Sequence, residues 1–140
     1  SLGINDNILT VTGDNMAATY NADSGELIGN YSYPGTVENF DASSSLKAFV
    51  FDDFTDDGKK TVILNDKCEV TASIAVSADV KQIKVSGDTV LIMTESDITQ
   101  YNLSLESEKK TLLSDSYSDF IKVGGSVLLM GYDAIDSITL

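Results

Sequence analysis

Short apolar runs recur along this chain at a spacing near 40 residues, and that recurrence limits the fold more than any other feature. The runs are ILTVT (8–12), LKAFVF (46–51), TVLIMT (89–94) and SVLLMG (126–131). Their apolar starts at Ile8, Leu46, Val90 and Val127 give steps of 38, 44 and 37 residues. The excess of the middle step falls largely in an expanded polar break, DDFTDDGKK (52–60). Self-comparison sharpens the pattern: VSGDTVLIMTESDITQYNL (85–103) lies over VGGSVLLMGYDAIDSITL (123–140), with Val85 against Val123 and Ile98 against Ile135 restarting the chain after a polar break. Runs this short, rich in Val, Ile, Leu, Thr and Tyr and bounded by Gly, Asn, Asp or Ser, read as strands. None sustains the i, i+3, i+4, i+7 spacing of a helix. The nearest exception, LSLESEKKTLL (103–113), fits two strands around a polar turn, with Leu103 and Leu105 on one and Leu112 and Leu113 on the other.

A period near 40 with about four short strands per unit is the pattern of a β-propeller blade. The predicted fold is therefore all-β, a propeller-like array of about three and a half four-stranded antiparallel blades. A β-sandwich of some fourteen strands is the alternative. The segment YNADSGELIGNY (20–31) then contains the turn between the third and fourth strands of the first blade. Asp and Ser bond back to nearby backbone there, and Gly25 can adopt φ > 0. The turn recurs in altered form at Asn65–Glu69 and from Asn102 to Lys109, with fourth strands expected at 70–76 and 110–115. Blade boundaries fall near 1–36, 37–79, 80–118 and 119–140, the last incomplete. Such an arc exposes strand edges and apolar blade faces. The expectation is a segment of a longer protein, or a ring completed by a second copy through the exposed blade edges.

The balance of 22 acids against nine bases, all of them Lys, gives a formal net charge of −13. Nucleic acid and anionic lipid would repel such a chain, so the expected partner is a protein or peptide. No His is present, which removes the commonest general base and metal ligand. Cys68 is the sole cysteine, and GxSxG does not occur. No stretch approaches the ~18–20 apolar residues of a membrane-spanning helix, so direct insertion of this segment is not expected.

The segment YNADSGELIGNY resembles the strand–turn–strand of pyrroloquinoline-quinone-type (YVTN-like) propeller repeats. There an Asp with a Thr-Gly or Ser-Gly pair marks the turn and an aromatic often closes the next strand, a role open to Tyr31 or Ile28. The docking Trp of that repeat is missing, and only the first turn carries the Ser-Gly pair. The degenerate repeats, the Lys-only basicity and the Asn/Asp/Ser-rich turns also resemble an uncharacterised group of membrane-anchored Gram-positive proteins with a propeller-like domain of unknown function. That resemblance implies an extracytoplasmic location, with any anchor in a segment not present here.

In a propeller, the loops joining second to third strands and blade to blade share one end of the array. They would gather Asp14, Asp53, Asp56, Asp57, Glu95, Asp97 and Asp133, with Asp79 and Asp119, around Tyr33, Tyr117 and Tyr132. An acidic face studded with Tyr suits a cationic peptide, a metal or a sugar. Asp6, Asp23, Glu26, Asp41, Asp66, Glu69, Asp88, Glu106 and Glu108 would populate the opposite face, so the charge is not polarised. Against the calcium-loop pattern, Asp53, Asp57 and Gly58 fit, but Leu64 stands where a bidentate Glu is needed. What remains is a looser oxygen-ligand site for Ca²⁺ at Asp53, Asp56 and Asp57, set against a plain hairpin loop. No other cofactor is expected. The function expected is a non-catalytic interaction or scaffold module of a bacterial extracytoplasmic protein. The alternative is a metal- or sugar-binding propeller, or part of a propeller enzyme.

Overall fold

A computed structural model describes residues 2–43, 45–53, 55, 58–76 and 79–140. Four antiparallel sheets follow one another along the chain, each built in simple sequential strand order. The first comprises β1 (Leu2–Asn5), β2 (Ile8–Thr12), β3 (Met16–Asn21) and β4 (Leu27–Ser32). The second holds β5 (Gly35–Ala42), β6 (Leu46–Asp53), β7 (Gly58–Asn65) and β8 (Val70–Val76), and the third β9 (Gln82–Ser86), β10 (Thr89–Met93), β11 (Asp97–Tyr101) and β12 (Ser107–Leu112). The fourth has three strands, β13 (Asp119–Val123), β14 (Ser126–Met130) and β15 (Ile135–Thr139). The array is all-β and propeller-like, as the period implies.

The apolar runs are continuous rather than alternating because the middle strands are covered on both faces. On β6, Phe49 and Phe51 point to the first sheet and join Ala17, Tyr33, Val62, Leu64 and Cys68. Ala48 and Val50 point the other way and meet Ile63, Ile83, Val90, Ile92 and Leu105. A third cluster joins Leu91, Met93 and Ile98 of the third sheet to Phe120, Val127 and Leu129 of the fourth. Each fully buried apolar side chain of this kind contributes roughly 1.5–3 kcal/mol. The first strands of the last three sheets lie side by side, β9 packing against β5 and β13, while β4, β8 and β12 are largely exposed.

The polar break at 52–60 is shorter than the sequence implies: β6 runs on through Asp53 and β7 begins at Gly58. The fourth strand of the third sheet is Ser107–Leu112, earlier than the expected 110–115. Leu103 and Leu105 lie in the turn rather than on a strand, and Leu105 is buried there.

That turn explains the shift. In all three complete sheets an Asn ends or directly follows the third strand, and its Oδ1 accepts backbone N–H groups of the turn. Asn21 accepts from Asp23 and Ser24, Asn65 from Lys67 and Glu69, and Asn102 from Ser104 and Glu106. In the latter two the Asn amide also donates to a Glu carboxylate four residues on, Glu69 at 2.8 Å and Glu106 at 2.9 Å. The bend needs a left-handed residue. It is Gly25 (φ 72°) in the first turn, but Cys68 (φ 60°) and Leu105 (φ 58°) in the others. Left-handed backbone costs a non-glycine residue roughly 1–2 kcal/mol. Burial offsets it: Cys68 enters the core against the first sheet, and Leu105 the core against the second.

Candidate functional site

Sequential antiparallel order places the β2–β3, β6–β7, β10–β11 and β14–β15 turns at the same end of the array as the connections between sheets. The residues expected at this end behave in three ways.

Asp53 and Asp97 turn inward. Asp53 is buried, its Oδ2 is 2.6 Å from the Lys60 ammonium, and its Oδ1 accepts the Thr55 N–H and hydroxyl. Those bonds, that of Lys60 foremost, hold the Asp53 carboxyl down at about 2. Burial pushes Asp97 up, but Lys110 at 3.0 Å and the Thr99 and Thr94 hydroxyls outweigh it and leave the carboxyl below its usual range. Both acids fix sheet ends. Asp56 and Asp57 lie outside the described residues. Among the described residues no three of His, Cys, Asp and Glu are grouped to hold a metal ion.

The tyrosines divide. Tyr33 is buried between the first two sheets and donates its hydroxyl to the Gly13 carbonyl, and burial raises its pKa to about 12. Tyr117 is buried and donates to Asp136 Oδ2 at 2.8 Å, which raises its pKa. Tyr132 is fully exposed. It occupies the turn closed by the Gly131 N–H donating to the Ala134 carbonyl. Tyr117 and Tyr132 line one cleft of about 280 Å³ with Lys81, Ser116 and Ser118. Beside it Glu95 pairs with Lys81 and accepts the Ser116 hydroxyl at 2.8 Å, which together lower its pKa. Asp133 is exposed on the Tyr132 turn.

Asp14 alone of the expected residues reaches a larger cleft of about 390 Å³, walled by Gly13 and Asp14 on the first sheet, Glu38, Asn39 and Phe40 on β5, and Gln82 at the start of β9. A β-bulge between Val37 and Asn39 lies in its wall and leaves Glu38 without a register partner on β6. Glu38 pairs with Lys59 at 2.9 Å, and Lys59 also holds Asp79 at 2.7 Å. Asp79 and Glu38, in that order, raise the Lys59 pKa. Glu38, Asn39 and Gln82 were not legible as site residues, because in sequence they are ordinary polar members of strand patterns.

Two apolar faces lie open at the ends of the array. Ile4, Val11 and Met16 on the first sheet are exposed, as are Ile121, Val123 and Ile135 on the fourth. Among the described residues no helix is long and apolar enough to cross a membrane.

Residues 4–140 match the model of a family of unknown function, DUF5711. No curated protein matches the sequence. Among solved structures, the chain is similar to BamB from Moraxella catarrhalis (TM-score 0.71, 8% identity), covering 98% of this chain and 41% of that one. It is similar to Sqt1 from Saccharomyces cerevisiae (TM-score 0.70, 15% identity), covering 100% of this chain and 44% of that one. The WD40 domain of Toxoplasma gondii coronin gives a TM-score of 0.73 at 13% identity, over 99% of this chain and 42% of that one. The chain thus spans less than half the length of each. These likenesses bear on fold alone, and they agree with the propeller-like array of four sheets.

Proposed function

The chain belongs to the DUF5711 family of unknown function, and from that premise we propose that it is a non-catalytic interaction module binding a protein or peptide partner at the end of the array that carries Tyr132. The observation that carries this reading is the pairing of a fully exposed Tyr132 ring with the cleft floored by Tyr117. Aromatic rings presented beside a concave, partly apolar surface are the usual anchors of protein interfaces. Tyr117 is held by Asp136 and the Tyr132 turn by its own backbone bond, so the platform is preorganised. The resemblance to membrane-anchored Gram-positive proteins supports placing the module outside the cytoplasm.

The open faces of the first and fourth sheets support a second contact of the same module, packing on further propeller sheets from the same polypeptide or from another copy. A heterologous contact of this kind closes a ring or propagates. Light scattering on the 140-residue chain separates the sources: a concentration-dependent dimer indicates a second copy, and a monomer at all concentrations excludes it.

A thermal-shift screen tests the main reading. Peptides raise the melting temperature of the wild type, and Tyr132→Ala removes that rise. A rise with sugars, quinone or Ca²⁺ instead would overturn it in favour of a metal- or sugar-binding propeller.

A further inference from the structure

We propose that the 390 Å³ cleft beside Asp14 is the docking site for a cationic side chain of a peptide, arginine above all. The proposal rests on the reading of this end of the array as an interaction face and adds the ligand class.

Hydrogen-bond accounting in the lining carries it. Three polar groups of the lining each donate one bond within the protein. The Gly13 N–H donates to the Met16 carbonyl, the Asn39 amide to the Val80 carbonyl at 2.9 Å, and the Gln82 amide to Asp119 at 3.0 Å. Gln82 Oε1 is engaged too, accepting the Ile83 N–H. The acceptors are not all committed. Asn39 keeps its Oδ1, and Asp14 is an exposed carboxylate across the cleft from the bulged β5. A lining that presents an exposed carboxylate and an amide oxygen suits a ligand that brings donors and positive charge.

The wall is built for side-chain presentation. The bulge that takes Glu38 out of register has no counterpart where β1 meets β2, β9 meets β10 or β13 meets β14, all of which pair in regular register. Bulges of this kind re-aim side chains next to binding sites. Phe40 contributes a ring backed by Phe49, with centroids 4.9 Å apart, a surface on which a guanidinium can stack. The volume falls within the roughly 300–1,000 Å³ of ligand pockets, enough for one long side chain and its flanking backbone. Planar, multi-donor geometry favours guanidinium over ammonium where separate oxygens converge. The net charge of −13 would steer a basic peptide toward the surface.

Fluorescence anisotropy with a short fluorescein-labelled peptide carrying one arginine, and its citrulline counterpart, tests this. The arginine peptide is expected to bind and the citrulline peptide to bind about tenfold more weakly, the loss of one charge-assisted contact. Asp14→Asn should weaken the arginine peptide by a similar factor. Asp88→Asn makes the same charge change at the opposite end of the array and should change binding less than about twofold. Absence of arginine-peptide binding, equal binding of citrulline, or equal effects of the two substitutions would overturn the cleft assignment. Tyr132→Ala separates the two levels: if it weakens binding and Asp14→Asn does not, the face stands and the cleft falls. If neither does, both fall.

Discussion

The Cys68 sulfur lies 2.8 Å from the Thr19 hydroxyl, in the buried seam between the second sheet and the first. Cys68 belongs to the turn between β7 and β8, so a turn of one sheet is seated in the face of the sheet before it. Leu105 repeats the arrangement one sheet later, packing among Ala48, Val50 and Ile63. Lys47 is buried on the opposite face of the second sheet, the one that carries Phe49 and Phe51, donating to the Asn65 carbonyl at 3.2 Å, and burial lowers its pKa. The sheets are therefore keyed to each other by plugs as well as by flat apolar packing.

Truncating a plug should loosen the array. Leu105→Ala is expected to lower stability by about 3 kcal/mol, the usual cost of emptying a buried leucine site. Leu105→Gly should be no worse, because glycine relieves the positive φ that leucine tolerates there. Urea unfolding followed by tyrosine fluorescence would measure both. A loss below about 1 kcal/mol for Leu105→Ala would show that the plug carries little of the packing.

Gly29 sets how closely the first plug can approach. A Cβ placed there would sit 1.9 Å from the Lys67 carbonyl oxygen, a backbone atom that cannot swing aside. Gly29→Ala should destabilise by about 3 kcal/mol or more through displacement of the 65–69 turn. Gly125→Ala meets nothing within 4 Å and serves as the near-neutral control. Thermal melts of both variants decide it.

The Asp53–Lys60 pair predicts an acid-sensitive seam. The folded carboxyl is held at about 2, below its ordinary value near 3.8, so its contribution is complete above the ordinary value. It fades as the pH falls through that window toward 2 and lower, where the folded carboxyl also takes its proton. Urea midpoints should drop across this range for the wild type and less steeply for Asp53→Asn. Parallel curves would show that other carboxylates, Asp97 among them, dominate acid unfolding.

Much of this architecture was legible in sequence because it rests on periodic features. The 38-, 44- and 37-residue steps located the sheets, and DFIKV (119–123) opened the fourth as observed. The plugs were not legible. Cys68 and Leu105 sit in turns at positive φ, where local propensity argues for glycine or asparagine, and only tertiary burial makes the choice sensible. The Asn and the following Glu that bracket those turns were the available signal. The sequence placed Asp14, Tyr117 and Tyr132 at the loop end of the array, where they line two clefts, yet it could not show Asp53 and Asp97 turning inward to lysines. Nor could it show the bulge at Glu38, since a one-residue register slip leaves no mark in composition.

The side-by-side packing of sheets, the second and third each plugged into its predecessor, is tested most directly by a cross-link. Thr19→Cys introduces a second thiol opposite Cys68, and mild oxidation should join the two within one chain, detected by resistance to alkylation after denaturation and by a compact band on non-reducing gels. Two thiols that stay fully alkylatable under those conditions would contradict the arrangement, because sheets stacked in any other order do not bring residues 19 and 68 together.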